Sequence, residues 1–130
     1  MQTTIRITYT ALFEYPTHKE KISYQGKARY EKTKNSTEID FYDKGIENKI
    51  KITPQAIWLQ SGMSTLKLVS KKRIKNQYQT EYGQVYIDTI LESCHTEGNI
   101  KIVYHLLEGN KPISKVYLLL QIHGAVDDEK

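Results

Sequence analysis

Four histidines and one cysteine are the side chains best suited to metal or nucleophilic chemistry in this sequence of 130 residues. His18 falls in an expected turn, His95 at a strand end, His105 in mid-strand and His123 near the C-terminus. No i, i+4 histidine pair occurs, so zinc-ligand spacing is absent, and neither a metal nor another cofactor is expected. Cys94 and His95 together suggest a thiol and its base, but adjacent strand residues point to opposite faces and are poorly placed to share a proton. Asp88 and Glu92 share a strand face near Lys101, where surface ion pairing is the commoner outcome. With no Gly-rich phosphate loop and no Gly-x-Ser-x-Gly, the sequence leans away from catalysis.

The ten tyrosines carry more information. Tyr9, Tyr24, Tyr30 and Tyr104 all fall on the face that the hydrophobic pattern turns inward. An unpartnered buried hydroxyl costs about 1–3 kcal/mol, so each must meet another hydroxyl, backbone, internal water or a polar ligand atom. A packed, hydrated core satisfies them. So does a pocket with apolar walls and a few hydroxyl donors, which suits a small amphipathic ligand.

Charge points elsewhere. The net charge is +4, and because Asp127-Asp128-Glu129-Lys130 form an acidic tail, the remainder is more basic still. Arg6, Lys27 and Arg29 share the outer face of the first two expected strands, with Arg6 and Arg29 side by side. Lys71, Lys72, Arg73 and Lys75 form the densest run. Such groups steer polyanions, although the lysine run also reads as a solvated connection that discourages edge pairing. No aromatic platform for base stacking accompanies Arg6, Lys27 and Arg29, so nucleic acid is the least favoured partner.

These residues are positioned by strands. Ile, Val and Thr far outnumber Ala, a bias toward pleated sheet and away from helix. Thr3 to Tyr15 alternates, with Ile5, Ile7, Tyr9, Ala11 and Phe13 on one face, and Glu20 to Lys32 repeats the pattern. A turn at Pro16-Thr17-His18-Lys19 would set Phe13 opposite Ile22 and Tyr9 across Gly26. Short strands follow at Thr37 to Tyr42, Asn48 to Thr53, Ala56 to Gln60 and Thr65 to Ser70. Their turns pair Ile52 with Ile57, Ile50 with Leu59 and Leu59 with Leu66. Parity switches between Tyr82 and Val85, which a β-bulge at Gly83 would explain. Ile100 to Leu107 and Ile113 to His123 make a last hairpin with Ile100, Ile102, Tyr104, Leu106, Val116, Leu118, Leu120 and Ile122 inward.

About nine strands with short turns make an antiparallel meander, and closure removes its exposed edges. The expected fold is therefore all-β, a single up-and-down barrel over residues 1–126 followed by the acidic tail 127–130. On its outside, Ile90, Val103, Leu107, Ile113, Tyr117 and Leu119 gather into one apolar patch, with Val103 beside Tyr117 and Leu107 beside Ile113. Larger exposed patches commonly mark partner surfaces, here a homodimer or a docking protein, in competition with an internal covering segment. Trp58 faces outward opposite Lys51, where the two can stack.

Tyr78-Gln79-Thr80-Glu81-Tyr82-Gly83, the alternating Val85, Ile87 and Thr89, and Gly98-Asn99-Ile100-Lys101-Ile102-Val103-Tyr104-His105-Leu106 resemble the YwiB-like bacterial proteins. The likeness runs in strand order through Gly26, Tyr30, Ile50, Ile52, Leu59 and Gly62. It implies a calycin-like, lipocalin-type barrel of eight to ten strands in a bacterial cytoplasm, and it brings no catalytic residues. Independently, the opening residues show neither a basic n-region nor an apolar h-region, and no apolar stretch approaches membrane-span length, so a cytoplasmic protein without a membrane is expected. The leading expectation is a non-catalytic binder of a small amphipathic ligand, followed by an interaction module and then by weak nucleic-acid binding.

Overall fold

Strict alternation produces strand wherever one face can be buried and the other left wet. In a computed structural model that describes residues 2–125, the first alternating segment forms β1 (Gln2–Glu14) and its repeat forms β2 (Lys19–Lys32). Then come β3 (Thr37–Asp43), β4 (Ile46–Ile52), β5 (Ile57–Ser61), β6 (Ser64–Leu68) and β7 (Ile74–Thr80). The last three strands are β8 (Gly83–His95), β9 (Ile100–Glu108) and β10 (Lys111–Ala125). No helix occurs among the described residues, and the acidic tail 127–130 lies outside them.

The ten strands form one antiparallel sheet in the order β6-β5-β4-β3-β2-β1-β10-β9-β8-β7, an up-and-down meander in which β1 and β10 zip the two ends of the chain together. The sheet curls into a nearly closed barrel, bringing the β6 and β7 edges face to face. There the joint is made by side chains. Asn76 accepts a hydrogen bond from the Lys67 amide through Oδ1 at 2.8 Å, Thr89 donates to the Lys67 carbonyl, and Ser64 Oγ bonds both N–H and C=O of Gln79 at 3.0 Å. Asn76 also donates to Thr89 Oγ1 at 3.1 Å. Beyond β6, Leu91 of β8 donates to the Val69 carbonyl and accepts from the Lys71 amide. Sheet edges are thus satisfied without a continuous backbone ladder.

Three local expectations are corrected. The β1–β2 turn spans 15–18, closed by a Tyr15 N–H to His18 C=O bond of 2.8 Å and by Tyr15 stacked on His18 at 4.7 Å. Turning one residue earlier shifts the register by two, so Phe13 faces Glu20, Ala11 faces Ile22 and Tyr9 faces Tyr24, with inward parity preserved. The aromatic that covers Gly26 is therefore Tyr24 of the same strand, whose Oη would lie 2.7 Å from any Cβ placed there. Second, Gly83 is the end of a hairpin and not a bulge. Thr80 Oγ1 accepts from the Tyr82 amide and donates to the Gly83 carbonyl, so the chain reverses at Glu81-Tyr82 and the parity switch marks a tenth strand. Third, Leu107 faces Pro112, and Ile113 is the extra residue of a bulge in β10, while Val103 does face Tyr117. The pairings expected of Ile50, Ile52 and Leu59 occur as read.

Because the meander alternates direction, turns at 15–18, 44–45, 62–63, 81–82 and 109–110 gather at one end and the remaining connections at the other. The second end is filled. Ile7, Ile39, Leu68, Ile102 and Leu120 are fully buried there in a continuous apolar cluster.

Candidate functional site

The end carrying the turns 44–45 and 62–63 is hollow. A cavity of about 470 Å³ opens there, within the usual range for small-molecule sites. Tyr9 and Phe13 of β1, Phe41 of β3, Leu59 and Leu66 of β5 and β6, and Tyr104 and Leu106 of β9 contribute its walls. Tyr78 and Ile87 complete them from β7 and β8.

Of the four inward tyrosines singled out in the sequence, the fold brings two into this cavity. Tyr104 is buried, and Tyr9 is nearly so, its ring tilted against Phe41 at 5.2 Å. Neither hydroxyl has a side-chain or backbone partner among the described residues, yet no side-chain polar atom there is both sealed from solvent and unpartnered. Both hydroxyls therefore open onto the cavity. Burial pushes the Tyr9 phenol up to about 12. Burial raises Tyr104 as well, reinforced by the neighbouring phenols of Tyr9, Tyr78 and Tyr15. Both stay protonated, and so remain donors, across the whole physiological range.

The other two are placed differently. Tyr24 stacks on Phe41 at 4.6 Å and donates its hydroxyl to the Lys27 carbonyl at 2.8 Å, so it covers Gly26 from its own strand and does not line the cavity. Tyr30 packs against the filled end and borders a small polar crevice with Glu38 and Asp40. Tyr78 is the lumen phenol that the sequence reading missed. Reading Glu81-Tyr82 as a two-residue turn would have found it, because Tyr78 then pairs with Val85 on the inward face.

The cavity mouth is apolar and partly charged. Ile22 and Ile46 are about half exposed at its rim, beside Asp43 and Lys44. Asn48 and Gln60 occupy their own amide donors on the Ile46 and Gly62 carbonyls.

On the outer surface, Ile90, Val103, Leu107, Ile113, Tyr117 and Leu119 are all half-buried. Tyr117 faces Val103 on one side and Leu12 on the other, while Leu119 lies between Thr10 and Lys101. Ile90, Leu107 and Ile113 line a separate surface groove with Tyr15 and Pro16. Charged side chains border the patch. Glu92 bonds His105 at 2.8 Å and lies 3.5 Å from Lys115, whose ammonium sits 5.0 Å from the Tyr117 ring. The His105 hydrogen bond holds the Glu92 carboxyl below its usual range, with Lys115 adding to the effect. A bulge between Leu91 and Ser93 sets this arrangement, so Glu92 meets His105 and Lys115 and not Lys101. Lys51 and Lys67 both lie 5.7 Å from the Trp58 ring.

The basic residues do not form one surface. Arg6 faces Lys27, and Arg29 faces Thr4 and pairs with Asp40 at 3.2 Å, correcting the expected Arg6–Arg29 neighbourhood. Arg73 pairs with Asp88 and donates to the Gly109 carbonyl, and Lys75 lies over Tyr86 at 5.1 Å. Lys71 and Lys72 lie in the turn beyond β6, across the barrel from Arg6, Lys27 and Arg29. Cys94 packs on the core, and burial raises its thiol pKa. No group of three or more potential metal ligands gathers among the described residues.

The barrel is similar to a crystal structure of the ywiB protein from Bacillus subtilis. The TM-score is 0.75 at 14% sequence identity, over 95% of this chain and 94% of that one. No model of a known family matches this sequence, and no curated protein does. At that identity the likeness speaks to the fold alone.

Proposed function

We propose that the protein is a cytoplasmic, calycin-like barrel that binds a small apolar or amphipathic molecule in its lumen without transforming it. The observation that carries this reading is the pair of buried phenols, Tyr9 and Tyr104, whose hydroxyls face an apolar cavity with no protein partner among the described residues. Apolar walls supply the bulk of the binding free energy, and a few placed polar groups orient the ligand. Native mass spectrometry of protein purified from its own host, joined to a screen of fatty acids and small aromatics, is expected to reveal a bound species. Leu66→Trp, which places an indole in the cavity, is expected to abolish that binding while the barrel still folds. A filled, ligand-refractory lumen in both measurements would end the proposal.

A second reading rests on the row Leu12, Tyr117 and Val103, which continues the outer patch across three strands. It makes the face a docking surface for a second copy or a cellular protein. Sedimentation showing a dimer that Leu119→Lys converts to monomer would support the homodimer form. A monomer unaffected by that change removes it.

A further inference from the structure

We infer that the lumen selects neutral, oxygen-bearing apolar ligands, such as ketones, esters or alcohols with a compact hydrophobic body, over carboxylates of the same shape. This rests on the lumen-binding reading above and assigns its ligand class. The polar groups that line the buried part of the cavity are the Tyr9 and Tyr104 hydroxyls, with the Tyr78 phenol as a third on the β7 wall, and none has a protein partner among the described residues. A phenol O–H donates one hydrogen bond, so the pair offers two donors to a carbonyl or hydroxyl oxygen and no positive charge. Phe13, Phe41, Leu59 and Leu106 supply the apolar surroundings.

Charge appears in the lining at three places. Lys44 is exposed in the β3–β4 turn, where its φ of 54° and that of Gly45, 81°, match a two-residue hairpin turn. Lys49 sits on the outward parity of β4, between inward Asn48 and Ile50. Asp43 lies on the inward parity of β3, two residues from buried Phe41, and a carboxylate entering the mouth approaches its like charge. An anion carried down to the phenols loses its hydration without gaining a cation, because at that depth the described lining offers neutral donors alone. A ketone gives up far less water for the same two hydrogen bonds.

The test uses one naphthalene body with three heads, namely 2-ethylnaphthalene, 2-acetylnaphthalene and 2-naphthoate, titrated into the intact protein and followed by ligand fluorescence. The acetyl compound is expected to bind about fivefold tighter than the ethyl compound, as one or two neutral hydrogen bonds allow. It is expected to bind at least about tenfold tighter than the naphthoate at neutral pH. The naphthoate is expected to gain affinity as pH falls toward the range in which its carboxyl takes up a proton. Tyr9→Phe and Tyr104→Phe are each expected to reduce the acetyl advantage and to leave the ethyl compound unchanged, a pattern that a merely destabilised barrel would not give. Naphthoate binding that equals acetyl binding at neutral pH, or is lost in Lys44→Gln, overturns the assignment of ligand class. Failure of all three compounds to bind, with the fold intact, overturns the lumen reading beneath it.

Discussion

The two ends of the barrel are built from the same strands and filled in opposite ways. Along β1, Ile5 and Ile7 are buried in the apolar cluster, and two residues further the inward position becomes Tyr9 and then, after Ala11, half-buried Phe13. β9 makes the same change, from Ile100 and Ile102 to Tyr104 and Leu106. Branched aliphatic side chains interlock at the closed end. At the other, aromatic rings stand around space, and Ile22, Ile46, Met63 and Tyr82 are exposed toward the same end. Packing density sets stability, so one end carries the fold while the other leaves open space.

The largest expected effect tests that division. Ile102 has no exposed surface and sits in the closed end. Ile102→Ala is expected to cost about 2–5 kcal/mol, transfer free energy plus an unrelaxed cavity. Ile87→Ala, at the cavity wall, is expected to cost distinctly less, because that side chain already borders open space. Urea unfolding of both variants measures the difference, and equal losses would erase the distinction between the ends.

Much of this contrast is legible in the residues and part of it is not. Alternation located the inward set from Ile5 to Ile122 because period two survives any even shift in register, and the two-residue slip between β1 and β2 left every inward residue inward. The same parity argument could not say which inward tyrosines share a space. Tyr24 and Tyr30 have the correct parity, but one bonds its own strand and the other belongs to the packed end, positions fixed by barrel curvature and by neighbours distant in sequence. Tyr78 was hidden by reading a reversal as a bulge. The joint of Ser64, Asn76 and Thr89 carries no local signature, since each is an ordinary strand residue until β6 and β7 are brought together by the other eight strands.

That joint supplies the next expected effect, and it sharpens the comparison because the joint runs along the barrel axis from one end to the other. Asn76 is buried, accepts from the Lys67 amide and donates to Thr89 Oγ1. Asn76→Ala leaves the Lys67 amide without its partner and is expected to cost about 1–3 kcal/mol. In hydrogen exchange, the Lys67 and Gln79 amides are expected to lose protection first, while Ile102 and Leu120 keep theirs. Uniform loss across all strands would mean that the barrel opens as one body and that its ends are not independent.

The smallest effect concerns how dry the open end is. An aqueous cavity would leave its phenols at their ordinary value near 10, whereas burial pushes Tyr9 up to about 12. The sign follows from proton counting. Between those two values the folded protein holds a proton that the unfolded chain has released, so the contribution is fully present below pH 10 and is lost as pH rises toward 12. The slope from one phenol cannot exceed about 1.4 kcal/mol per pH unit, and lysines titrate over the same range, so the informative quantity is the difference between wild type and Tyr9→Phe. Stability of the variant is expected to fall less steeply above pH 10, and ultraviolet titration is expected to lose a late-ionising phenol. If Tyr9 ionises with the exposed tyrosines, the open end is as wet as bulk solvent, an anion entering it keeps its hydration, and the preference for neutral ligands has no physical basis.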